Sequence, residues 1–197
     1  MTQEIILAFA AFAFVSSITP GPNNLMLMSS GANFGFKMTV PHLMGVIVGF
    51  AIMIELVGLG VMQLFNAFPV TYDILKVVSI VYLLYLAFKI ATATPSDGKD
   101  ITEKGKPFSF IQAALFQWVN PKAWTMALTA VSVYAPEQNL LTVTIISVIF
   151  AVVGFPCVVS WIVLGQKMQS ILSQPSHMQK FNWAMAGLLI ISIVPAL

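Results

Sequence analysis

Thr19-Pro20-Gly21-Pro22-Asn23-Asn24 cuts into an apolar stretch that begins near Ile5 and continues beyond the cut. Asn120-Pro121-Lys122 makes the same kind of cut in another apolar stretch, with Pro22 and Pro121 separated by 99 positions, half the chain. A proline removes a backbone donor and clashes with the carbonyl four residues back. Pro-Gly-Pro therefore destroys a full helical turn, and two amide side chains follow it. The freed backbone groups cannot face lipid and must turn toward protein or a watery cavity.

The surrounding composition says that lipid is the solvent. Of 197 residues, 58% are hydrophobic and 8% charged, about a third of the roughly 25% charge of a soluble domain. The mean hydropathy is +0.91. A soluble globular domain and a disordered chain are both excluded, the latter because disorder needs few apolar residues. All nine basic residues are Lys and the net charge is +2, so the Arg forks that read nucleic acid are absent. One cysteine, Cys157, leaves no internal disulfide, and His42 and His177 have no partners at metal-ligand spacing. No metal or cofactor is expected. The first residues contain Glu4 and no Lys, unlike the positive start of a signal peptide.

A membrane helix needs about 20 mostly apolar residues. Six stretches qualify, roughly residues 4–30, 41–65, 71–92, 108–133, 140–165 and 178–197, the first and fourth being the broken ones. The expected fold is an all-α integral membrane protein. Its connection at about 93–107 divides one transporter-like domain, 1–197, into halves of about 1–92 and 108–197. Because each half has three spans, the second enters the membrane the opposite way up: an inverted-topology repeat. Lys37, Lys89, Lys99, Lys104, Lys106, Lys167 and Lys180 fall on odd-numbered connections, against Lys76 alone on even ones. By the positive-inside rule both termini face outward.

Interrupted helices at matching places in two halves are the strongest sequence pointer to a transporter's binding site. Pro20, Gly21, Pro22, Asn23, Asn24, Asn120, Pro121 and Lys122 are the candidate substrate site. Half-helices starting near Gly21 and Lys122 would aim amide-rich ends at an anion such as a substrate carboxylate, and a cationic group on the substrate would meet freed carbonyls or Glu55. Glu55 and Lys122 are charges within spans, each costing about 2.5–3.5 kcal/mol there. They would form a buried pair, or Lys122 would hold the carboxylate while Glu55, the proton-coupling candidate, takes up a proton. Gly45 and Gly49, like Gly31 and Gly35, are spaced for close helix packing, with a homodimer interface as the lesser alternative. An intramembrane enzyme would need a nucleophile and base or a metal site, and neither is visible. A passive channel or a non-transporting accessory protein is the remaining alternative.

Thr19-Pro20-Gly21-Pro22-Asn23-Asn24 resembles the signature of the LysE/RhtB family of amino-acid exporters. Ser29-Ser30, Gly35-Phe36-Lys37 and the Gly45/Gly49 pair extend the likeness. Ser109-Phe110 and Gln117-Trp118-Val119-Asn120-Pro121-Lys122 resemble the family's second motif. The Asn23-Asn24 pair and the run from Gln117 to Asn120 are most similar to the cysteine/O-acetylserine exporter subgroup. The resemblance implies efflux of small neutral amino acids or their metabolites across the bacterial inner membrane, driven by proton antiport. Phe50 stands where many relatives carry an acid after the second glycine. Glu55, five residues on, occupies a different helix face and does not inherit that role directly.

Overall fold

The computed structural model describes residues 1–61, 67–68, 70–93, 106–135, 139–172 and 174–192. Most of the expected connection at 93–107, with Lys99 and Lys104, and the end of the expected sixth span with Pro195 lie outside the described residues. All regular structure among the described residues is helical.

Helix α1, Gln3–Ile18, starts where the Thr2 hydroxyl accepts from the Ile5 amide and ends at Thr19, whose backbone is extended. Helix α2, Pro22–Gly58, has Gly21 before it and proline at its first position, where the missing amide costs nothing. The 37 residues of α2 would make a straight rod of about 55 Å, nearly twice the roughly 30 Å thickness of a bilayer core. Gly35, with φ 76° and ψ 172°, breaks that rod into two arms. Such a φ is open to glycine and strained for most other residues. The expected connection around residues 31–40 is therefore a one-residue kink. Thr39 holds it by donating to the Gly35 carbonyl at 2.9 Å while lying 3.0 Å from the Ser30 hydroxyl.

Helix α3 is Val70–Ala91, and helix α4, Phe110–Phe116, begins with a reciprocal Ser109/Gln112 cap. A 3₁₀ turn, Gln117–Val119, leads to Asn120, and helix α5, Pro121–Tyr134, again starts on proline. Helix α6, Leu140–Ile171, runs through Pro156 and ends six residues beyond the expected 165. Helix α7 is Pro175–Ile191.

Among the described residues, three helical stretches are long and apolar enough to cross a membrane by themselves: Pro22–Gly58, Asp73–Ala91 and Leu140–Met168. Gln3–Ile18 and Phe110–Val119 are apolar but shorter. The six expected stretches are thus helical over most of their described residues, but only three qualify alone, because the breaks cut two of them into pieces and the sixth ends outside the described residues. Large apolar side chains point outward all along these helices, including Leu7 at 62%, Ile111 at 66% and Val152 at 67% exposed. Water would not tolerate that many, and a bilayer requires them.

Inside, α2 lies along α6, while its second arm also packs on α4. Glycines permit this: a Cβ on Gly45 would strike the Phe110 carbonyl oxygen, and one on Gly165 would strike that of Met28. In lipid such close van der Waals fit replaces the hydrophobic drive for helix association. Phe9, Phe50, Met53, Ala127 and Phe150 fill the core between α1, α2, α5 and α6. Helix α3 packs chiefly on α7. The two breaks meet, joined by side-chain hydrogen bonds from Asn23 to Gln117 and from Lys122 to Thr19.

Candidate functional site

A helix end leaves carbonyls without intrahelical partners, and α1 ends inside apolar surroundings. Every carbonyl from Ser17 to Pro20 nevertheless has a donor. Asn24 Nδ2 donates to Ser17 O at 2.7 Å and Thr19 O at 2.8 Å. Trp161 Nε1, from α6, donates to Ile18 O at 3.2 Å. Lys122 Nζ, from α5, donates to Thr19 O at 2.9 Å, Thr19 Oγ1 at 2.8 Å and Pro20 O at 3.2 Å. The ammonium thus caps the negative end of α1.

The second break is secured in the same manner. Asn120, 1% exposed, accepts from the Lys122 backbone amide at 3.2 Å. Trp124 Nε1 donates to the Trp118 carbonyl at 2.8 Å, and Asn120 O accepts from Trp124 N. Asn23 and Gln117 join the breaks through both of their side-chain amides, at 2.8 and 3.2 Å. Gln117 also donates to Ala113 O. At the start of α2, Gly21 carries no capping side chain, so the first amides after Pro22 have no acceptor within the helix. The stem of Lys122 passes directly over Gly21: a Cβ there would lie 2.7 Å from Lys122 Cδ.

Two spaces border this junction. A cavity of about 50 Å³ is lined by Ser17, Asn23, Asn24, Asn120 and Lys122, walled by Phe50 and Phe150, and has room for a few waters. A cleft of about 790 Å³ opens on the other side, bounded by Thr19, Pro20, Pro121 and Lys122 and by Lys76 and Ser79 of α3. Lys122 and Gly21 line both. No acidic side chain lines either space among the described residues.

The eight candidate residues at the breaks therefore come together, whereas Glu55 stands apart from them. Glu55 lies in the last turn of α2, which ends at Gly58, and residues 62–65 of the expected second span lie outside the described residues. Its carboxylate accepts from the Thr144 hydroxyl at 3.4 Å. The Lys122–Glu55 pair drawn from sequence does not form; the ammonium is taken by Thr19 and Pro20 instead. Sequence reasoning missed Thr19, Gln117 and Trp161 as members of the junction. Thr19 and Gln117 are adjacent to the breaks, a signal that was available; Trp161 gave none. No cluster of three His, Cys, Asp or Glu suited to a metal exists among the described residues. His42 is buried against Phe108 with neither ring nitrogen bonded.

The chain matches the LysE family, described as LysE type translocator, over residues 14–194. The cysteine/O-acetylserine efflux proteins of Escherichia coli K12 and Shigella sonnei are each 31% identical to it over 193 residues, 96% of this chain and 96% of theirs. The protein of that name from Escherichia coli O139:H28 is similar to the same extent. No solved structure matches. Translocators of this family are transporters rather than enzymes, and the apolar helices make this one a multi-pass membrane protein. With a family match across nearly its whole length and two helix breaks bonded to each other, the chain belongs to the LysE family of translocators.

Proposed function

We propose that this protein is a secondary-active exporter of small neutral amino acids or amino-acid metabolites of the cysteine/O-acetylserine kind. It works by alternating access, coupled to inward proton movement across the bacterial inner membrane. The carrying observation is the junction of the two breaks, where polar groups and a cation meet beside two cavities in a largely apolar helix bundle. In broken-helix transporters such a junction holds the substrate and the halves rock around it. The efflux proteins 31% identical to this chain support the substrate class.

In this reading α1 and the first arm of α2 form one broken span, and the second arm and α3 complete the first half, about residues 1–92. The second half, about 108–197, repeats the order upside down: α4 and α5 as the broken span, then α6 and α7. Both termini face outward. Pro20 to Asn24 and Asn120 to Lys122 bind substrate, Lys122 holding its carboxylate and the asparagine amides its neutral groups. Glu55 carries the proton from outside the junction. A homodimer would use surfaces away from the breaks.

The deciding experiment is proteoliposome transport with labelled O-acetylserine, cysteine, serine and lysine under an imposed proton gradient. Uphill movement of the neutral compounds, abolished by a protonophore, is expected, with lysine excluded. Flux that only runs downhill would replace the exporter with a channel. No flux for any compound would leave an accessory protein.

A further inference from the structure

Lys122 is the feature the transport reading does not exhaust. As a substrate-carboxylate partner, its ammonium should be available, yet all three of its hydrogens are matched by three oxygens: Thr19 O, Thr19 Oγ1 and Pro20 O, at 2.9, 2.8 and 3.2 Å. A primary ammonium has three donors and no acceptor, and these oxygens form a cage suited to that group. The cage lies at the negative end of α1, and Thr19 and Pro20 are exposed to the 790 Å³ cleft. An α-amino acid entering the cleft brings the same chemical group, with a carboxylate about two bonds away. No acidic side chain in the cleft competes for that ammonium among the described residues.

We infer that the Thr19/Pro20 oxygen cage is a primary-ammonium site, occupied by Lys122 and taken over by the substrate's α-ammonium. Lys122, released, turns to the substrate's carboxylate. The inference rests on the exporter reading for its physiological ligand, but the cage itself does not. The exchange keeps charge balanced: one ammonium replaces another, and the carboxylate neutralises the displaced one. A dibasic substrate would add an unmatched cation beside Lys122 and Lys76, and an N-acylated or N-trimethylated amino acid would lack donors for the cage. The exchange also unfastens the only cationic clasp between α1 and α5 seen in the described residues, which ties occupancy of the site to freedom of the two halves to move.

The test uses purified Lys122→Ala protein and ethylammonium chloride, with tetramethylammonium chloride at equal concentration as the control. Ethylammonium should refill the vacated cage and raise the unfolding midpoint saturably by about 2–4 °C, the shift that about 1 kcal/mol of binding produces in a protein of this size. Tetramethylammonium should leave it unmoved, and the wild type, with its cage filled, should respond to neither. Equal responses to both cations, or none to ethylammonium, overturn the inference. If Lys122→Ala does not fold, Thr19→Val decides, since it deletes one cage oxygen and keeps the clasp's other two. The deleted hydrogen bond is lost to Lys122 before binding and to the substrate's ammonium after it, so affinity for O-acetylserine should hold within about threefold. The deaminated analogue, which frees Lys122 without refilling the cage, should bind up to about tenfold tighter, the worth of one charged hydrogen bond. An equal change for both compounds, or a loss confined to O-acetylserine, overturns the exchange. A wild type that binds neither compound counts against the exporter reading, and the ethylammonium result then stands on its own.

Discussion

Asn23 and Gln117, 94 positions apart, exchange two side-chain hydrogen bonds, Asn23 Nδ2 to Gln117 Oε1 at 2.8 Å and Gln117 Nε2 to Asn23 Oδ1 at 3.2 Å. The pair fastens the first helix break to the turn that precedes the second. Gln117 is fully buried, so removing one partner strands an amide in an apolar interior. Asn23→Leu and Gln117→Leu should each destabilise the protein. The double variant should be less damaging than the two effects added, with a coupling of about 0.6–1.7 kcal/mol, the range found for polar pairs in lipid. Unfolding of all four proteins in mixed detergent measures it, and strict additivity would mean that the pair is not a unit.

Asn24 acts through its donor end alone, closing the Ser17 and Thr19 carbonyls. Asn24→Ala should cost about 1–3 kcal/mol, the penalty for buried groups left without partners. Asn24→Asp should be worse than Ala, because a carboxylate only accepts and would face two carbonyl oxygens. Comparing the three unfolding free energies tests this; an Asp variant as stable as wild type would refute the assignment.

Gly21 and Gly165 are both crowded, but by different atoms. A Cβ on Gly165 meets the backbone of α2 at Met28, which has nowhere to go, whereas one on Gly21 meets the flexible end of Lys122. Gly165→Ala should therefore cost about 1–3 kcal/mol by overpacking. Gly21→Ala should cost much less and instead push Lys122 off Thr19 and Pro20, impairing transport in folded protein. Gly187, with open space around its Cβ position in α7, should gain about 0.5–1 kcal/mol as Ala. Thermal melts of the three variants, beside transport by Gly21→Ala, give the ranking.

Glu55 is half-buried and, among the described residues, holds a single long hydrogen bond, from Thr144 at 3.4 Å, with no cation bonded to it. As the proton carrier it should be dispensable for exchange and needed for net uphill movement. Glu55→Gln should retain substrate counterflow in proteoliposomes and lose at least about tenfold of the flux driven by a pH gradient, a barrier change of about 1.4 kcal/mol. Unchanged gradient-driven flux would assign coupling to another group.

The local breaks were legible in the residues because their causes are local. Proline lacks a donor wherever it sits, and Pro22 and Pro121 occupy the first positions of new helices. The apolar composition likewise required lipid before any contact was known. Boundaries were less legible where one glycine decides them: Gly35 turns an expected connection into a kink inside α2, and the end of that helix at Gly58 moves Glu55 to its last turn.

The sequence by itself determined where the backbone would be left with unpaired groups and that lipid could not satisfy them. Only the tertiary structure decided what does. Trp161 reaches the Ile18 carbonyl across 143 positions, and Lys122 reaches Thr19 across 103. Charge alone pairs Lys122 with Glu55 as readily as with a helix end. The choice follows from packing: α5 is seated beside the C-terminus of α1, within reach of a four-carbon stem that lies over a glycine, while Glu55 faces α6. A local rule fixes the need for a partner; geometry summed over the whole bundle selects it.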